Sequence, residues 1–237
     1  MERDDLYRRI DEVEGGRIAV PALIRKVYTW MAMALAITGI TAYGVATSPN
    51  LINLIFGNKM VFLGLLIAEV VMVMWLSARL NRLSLTSATL MFVGYSVLNG
   101  VTLSSIFLVY TMSSIASTFF ICAATFAAMS AYGAYTKTDL SSMGKLMFMA
   151  LIGLIIATLV NLFVASSMLD LIVSYAGVLV FVGLTAWDTQ KIKMMLADSD
   201  YMDESAQKIA LIGALSLYLD FVNLFLYLLR IFGGRKN

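Results

Sequence analysis

"ALSLYLDFVNLFLYLLRIFG", residues 214–233, sets one aspartate inside an otherwise apolar run. Asp220 falls about eleven residues into a segment expected to cross a membrane over roughly 209–231, which at about 1.5 Å per residue puts it ~16 Å from the start of that segment. An ionised aspartate at the middle of a membrane helix costs on the order of 2.5–3.5 kcal/mol on insertion scales, so it needs a partner. Small and polar residues recur around it at helical spacing: Gly213, Ser216, Asp220, Asn223 and Tyr227. Leu217, Phe221, Leu224 and Leu228 cover the rest. A helix striped in this way prefers other helices to lipid as neighbours. The last span is therefore expected at the centre of the fold, with a re-entrant course as the alternative.

The rest of the chain supports a membrane setting. Across 237 residues, 60% are hydrophobic and only 14% charged, and mean hydropathy is +0.86. An ordinary soluble domain is about 45–50% apolar and about 25% charged. A span needs about 20 apolar residues, and seven segments qualify: roughly 27–46, 60–78, 85–109, 114–135, 146–166, 170–187 and 209–231. The third and fourth come from one run, 83–136, whose 54 residues include no charge. "YTMSSIAS" (110–117) is its natural break. Residues 1–26 carry six basic and six acidic side chains and read as a cytosolic tail, followed by a seven-helix membrane domain over 27–237. Basic residues near the spans total 13 on the side of the tail and 4 on the other, so the N-terminus is expected in the cytosol. "GGRKN" at the C-terminus is the one basic end that disagrees. The 17 basic and 15 acidic residues nearly cancel, and no nucleic-acid partner is suggested.

Few groups are available for chemistry. Cys122 is the single cysteine, which rules out an internal disulfide and argues against a zinc or iron–sulfur site. Histidine is absent, so a response to pH near neutrality has to come from carboxylates or other perturbed groups. Glu69 lies near the middle of the second span. Asp188, in "TAWDTQ", stands at the end of the sixth, and Arg79 and Arg82 end the second on the same face. Asp188 also reads as a solvated charge marking the membrane exit, with Lys191 and Lys193 beyond it. Glu69 equally reads as a protonated, hydrogen-bonded structural residue. Asn99, Thr102, Ser104 and Asn161 suit interhelical hydrogen bonds, and the methionines suit packing. "DSDYMDE" (198–204) has neither the glycine nor the final acid of an EF-hand and reads as a connector.

Four strings carry a resemblance: "YSVLNGVTLSSIF" (95–107), "TKTDLSSMG" (136–144), "GVLVFVGLTAWDTQKIK" (177–193) and "ALSLYLDFVNLFLYLLRIFG" (214–233). They are similar to the signature segments of the Bax inhibitor-1 family, and the similarity runs from the first span to the C-terminus. It implies an all-α membrane protein of seven transmembrane helices, the last wrapped by two three-helix layers, acting as a pH-controlled calcium leak. In prokaryotic relatives an aspartate closing the sixth helix and another inside the seventh share a hydrogen bond and gate the pore. Asp188 and Asp220 match these positions. An arginine late in the second helix contacts the closed pair; Arg79 matches it, with Arg82 three residues away as the alternative. Glu69 matches a family acid in the second helix, and Glu69, Ser216 and Asn223 are expected along the ion path. The loop between the two aspartates is longer here than in the family.

The pair makes chemical sense without the resemblance. Two carboxyls within hydrogen-bonding distance cannot both ionise cheaply, so they share one proton and hold two helices together. Loss of that proton lets them repel, and calcium, which prefers oxygen ligands, can then rest near Asp188 and Asp220 in transit. No resident cofactor is expected. An intramembrane aspartyl protease also uses two aspartates, but its Gly-x-Gly-Asp and Tyr-Asp strings are missing, and no enzyme activity is expected. Two other roles fit: modulator or substrate of a membrane-bound AAA protease, which the charged tail suits, or a proton-coupled transporter. A bacterial cytoplasmic membrane is the expected location.

Overall fold

The computed structural model describes residues 2–79, 82–197 and 204–236, giving backbone alone for 2–19. The connector at 198–203 lies outside the described residues. Among these residues the chain is helical: α1 (Glu2–Ala46), α2 (Pro49–Phe56), α3 (Lys59–Arg79), α4 (Leu85–Leu103), α5 (Ile106–Val109), α6 (Met112–Tyr135), α7 (Ser141–Val164), α8 (Ser167–Ala197) and α9 (Glu204–Phe232). Seven segments are long and apolar enough to span a bilayer: Val20–Ala46, Lys59–Arg79, Leu85–Val109, Met112–Tyr135, Ser141–Val164, Ser167–Ala197 and Glu204–Phe232. The seven expected spans are all present, and the break at 110–117 falls where α5 gives way to α6.

Boundaries moved for physical reasons. The first span lies within α1, a helix that carries Pro21 and continues without interruption from Glu2. The sixth does not stop at Asp188: α8 runs on to Ala197, because Ile192 and Leu196, four residues apart, bury their side chains. Likewise α9 begins at Glu204, with Ala206, Ala210 and Leu211 buried. Most of the apparently long connection between the two aspartates is therefore helix, and its charges misled a reading based on hydropathy. The short α2, opened by Pro49 in its first turn, was not expected; proline suits that position because its missing N–H has no helical acceptor there.

The helices fall into two compact units. The first comprises residues 1–103 with 191–215, the second 104–190 with 216–237. In the first unit α1 and α4 cross closely at Gly100, where a Cβ would come within 2.7 Å of the Thr38 carbonyl oxygen. There Thr38 Oγ1 donates to the Ser96 carbonyl at 2.9 Å. In the second unit α6 and α8 cross at Gly133, where a Cβ would lie 2.1 Å from the Ala186 carbonyl oxygen. Only glycine permits either approach.

Burial ranks the spans. Of the apolar stretch of α9, 67% is buried, against 6% in α3 and 6% in α7. Leu217, Tyr218, Phe221, Val222, Leu224, Phe225, Leu228 and Leu229 are buried along one broad face of α9, with Asp220 buried beside it. The reading from residues 214–233 holds in that this is the most deeply buried helix of the seven, one continuous helix long enough to span. By contrast α3 and α7 expose leucine, isoleucine, valine and phenylalanine along their length, as surfaces meant for lipid do.

The second unit also accounts for the basic C-terminus. Thr111 N donates to the Gly234 carbonyl at 3.1 Å and Lys236 N to the Val109 carbonyl at 2.9 Å, pinning the last residues to the α5–α6 junction. Lys236 Nζ donates to the Phe107 carbonyl at 2.8 Å. Arg230 pairs with Asp170 at 3.6 Å and lies over the Tyr227 ring at 5.4 Å. Lys236 and Arg230 of the basic end are thus engaged within the second unit.

Candidate functional site

Asp220 sits on α9 in the second unit and is 5% exposed. Its side chain is hydrogen-bonded to that of Asp188, on α8 of the same unit, and Asp188 is partly buried. A hydrogen bond between two carboxyls requires that one of them be protonated, since an ionised carboxylate can only accept. The second oxygen of Asp220, Oδ2, is buried and has no hydrogen-bond partner among the described residues. A charge there would be badly solvated.

Neighbouring residues fix both acids. One residue after Asp188, the Thr189 hydroxyl meets Ser130 Oγ of α6 at 3.0 Å. Next, Gln190 Oε1 accepts from Leu140 N at 2.9 Å and its Nε2 donates to the Thr138 carbonyl at 2.8 Å, tying the loop before α7 to α8. One residue before Asp188, Trp187 packs against Gly144, where a Cβ would come within 2.1 Å of the indole. On α9, Phe221 makes edge contacts with Phe119 at 5.5 Å and Phe126 at 5.4 Å. Its carbonyl accepts from Cys122 Sγ at 3.6 Å. Cys122 is thus a buried packing residue beside the pair. Sequence reasoning had singled out neither this aromatic cluster nor Gly133, because both matter only through tertiary contacts.

Outside the span, Asp139 Oδ1 accepts from Ser141 N at 2.8 Å, at the entry to α7. Hydrogen bonds from Ser141 hold its carboxyl below the usual carboxylate range.

The remaining candidate residues distribute as follows. Asn223 gives its amide to its own helix, Nδ2 donating to the Leu219 carbonyl at 2.8 Å. Ser216 is partly buried one turn before Asp220. Arg79 belongs to the first unit, at the exposed end of α3. Glu69 lies in the first unit too, at the midpoint of α3. It accepts a short hydrogen bond from Thr102 Oγ1 of α4. Asn161 closes α7: its carbonyl accepts from Ala165 N, and its Oδ1 accepts from Ser166 N. Among the described residues no three acidic or sulfur ligands converge on a metal site.

Comparison with known proteins assigns a family. The family model described as "Inhibitor of apoptosis-promoting Bax1" matches residues 20–237. The chain is 48% identical over 233 residues to the inner membrane protein YbhL of Escherichia coli, covering 98% of this chain and all of that one. A protein of Rickettsia prowazekii is 46% identical over 216 residues, 90% of this chain and 89% of that one. One from Borreliella burgdorferi is 44% identical over 214 residues, 90% and 92% of the two chains. With a match reaching from the first span to the last residue, this integral membrane protein belongs to the Bax inhibitor-1 family.

Proposed function

We propose that the chain is a pH-sensitive calcium leak, held shut by one proton shared between Asp188 and Asp220. The observation that carries this reading is the hydrogen bond between a partly buried carboxyl on α8 and a fully enclosed one on α9. While the proton is present, the pair ties two helices. As pH rises the proton leaves, and two like charges face each other. Two unit charges 4 Å apart at an effective dielectric of about 20 repel by about 4 kcal/mol. Converted at about 1.4 kcal/mol per tenfold, that shifts a two-state equilibrium by nearly 1,000-fold. The latch is therefore strong enough to gate.

The ion is cargo and the protein performs no covalent chemistry. A resident calcium takes six to eight oxygen ligands, and two carboxylates supply too few, which suits a stopping point in transit. Arg79 enters from the family resemblance as the cation of the closed state, and Glu69, Ser216 and Asn223 as residues along the path. The membrane is the bacterial cytoplasmic membrane, as the printed name of the Escherichia coli relative says of that protein, with the N-terminus in the cytosol.

The test is calcium entry into dye-loaded proteoliposomes, measured from mildly acidic to mildly alkaline pH. Wild-type flux rises with pH. In Asp220→Asn, where an amide donates permanently to Asp188, the dependence on pH disappears. A titration curve unchanged by that substitution overturns the proposal.

A further inference from the structure

A second site lies in the first unit. At the start of the first span a cavity of about 430 Å³ is lined by Ala22, Arg25, Lys26, Thr29, Trp30 and Met33 of α1. Leu85 and Thr89 of α4 and Gln207 of α9 complete it. The beginnings of three spans meet here, so the cavity opens at one membrane interface.

Its chemistry is graded along α1. Arg25 is exposed and Lys26 partly so, at the end of the lining nearest the start of α1's apolar stretch. Lys26 Nζ donates to Gln207 Oε1 at 3.4 Å, which ties the ammonium to α9. The nearby acid Glu204 is already engaged: it pairs with Lys208 at 3.0 Å and accepts from Leu85 N at 3.3 Å. Among the described residues no carboxylate pairs with Arg25 or Lys26, which leaves two positive charges beside the cavity. About one turn further along α1 come Thr29 and the amphipathic Trp30, and beyond them the apolar Met33. At about 1.5 Å per residue the sequence from cation to indole to thioether spans roughly 12 Å along the helix. Charge, then a mixed zone, then hydrocarbon is also the order of a phospholipid's phosphate, glycerol ester and acyl chain. Basic pockets between membrane helices hold anionic head groups by this combination, and the volume is within the usual range for small-molecule sites.

The geometry points to a binding site for an anionic phospholipid, its phosphate at Arg25 and Lys26 and its upper acyl chain along Trp30 and Met33. A soluble phosphate ester satisfies the cations but gains nothing from the apolar floor.

The test is native mass spectrometry of the full-length protein released from detergent, titrated with phosphatidylglycerol, phosphatidylcholine and glycerol 1-phosphate. One phosphatidylglycerol is expected to bind in preference to phosphatidylcholine. Arg25→Gln with Lys26→Gln weakens that binding about 5-fold per cation removed and about 30-fold together. The charge-preserving pair Arg25→Lys with Lys26→Arg keeps the preference. Ala22→Phe fills the cavity without altering charge and also lowers affinity. Equal binding of the two lipids, or a preference that survives Arg25→Gln with Lys26→Gln, overturns the site. Glycerol 1-phosphate binding as tightly as phosphatidylglycerol overturns the lipid as its ligand.

Discussion

Replacing Gly133 with alanine drives a methyl group into the backbone of α8 two residues from Asp188. The added carbon would stand 2.1 Å from the Ala186 carbonyl oxygen, 2.9 Å from its carbon and 3.0 Å from its Cα. Carbon and oxygen in close contact settle at about 3.3–3.6 Å, so α6 and α8 must part locally by about 1.2 Å. The obstacle is helical backbone and cannot swing aside. Overpacking of this kind costs about 1–3 kcal/mol. The 3.0 Å bond between Ser130 and Thr189 then stretches past useful length, which adds about 1 kcal/mol. Alanine's better helix propensity returns about 1 kcal/mol. The net loss is about 1–3 kcal/mol, and it falls beside the latch. Gly153 on α7, with nothing within 4 Å of an added Cβ, is the control, and Gly153→Ala is expected to be neutral or slightly stabilising. Circular dichroism during titration of mixed micelles with a denaturing detergent measures the stability, and the same variants reconstituted in proteoliposomes give calcium flux at acidic pH. Gly133→Ala is expected to unfold earlier and to leak more at acidic pH than wild type. If it matches Gly153→Ala in both readouts, the close crossing does not constrain the latch and the reasoning fails.

Two smaller effects follow from the periphery. The Arg230–Asp170 pair is 3.6 Å long with its side chains 38% and 44% exposed, so Arg230→Gln should lower stability by less than about 1 kcal/mol; a loss above about 2 kcal/mol in the same detergent titration contradicts the surface assignment. Because hydrogen bonds from Ser141 lower the folded pKa of Asp139, that contact contributes fully above the ordinary value of 3.8 and is lost as pH falls through the lowered one. Asp139→Ala should accordingly speed amide exchange in the first turn of α7 at neutral pH, and Asp139→Asn, which keeps an acceptor, much less; equal exchange in wild type and Asp139→Ala counts against the contact.

Much of the fold was legible because membrane insertion imposes a length on each apolar run. The uncharged stretch 83–136 had to be two spans, and the polar stripe around Asp220 marked α9 as an interior helix before any contact was known. Helix ends were less legible: Asp188 and the lysines after it suggest a helix end, while α8 continues because Ile192 and Leu196 are buried by neighbours that no hydropathy window contains. The same limit applied at the candidate site. Two acids in separate apolar runs were conspicuous, and their pairing was foreseeable from the family's strings. The close approach of Gly133 to Ala186 and the phenylalanines around Phe221 depend on which helix faces which, and single-chain periodicity does not encode that. Asn161 illustrates the converse case, a polar residue that looked interhelical and instead terminates its own helix.

The most direct test is whether an aspartic acid inside the membrane is protonated when the leak is closed and loses that proton as it opens. Infrared difference spectra of protein labelled with carbon-13 aspartate separate Asp188 and Asp220 from Glu69. The account predicts one protonated aspartate carbonyl band at acidic pH that fades in step with rising calcium flux and is missing in Asp220→Asn. A flux that changes with pH while no such band appears or fades contradicts it.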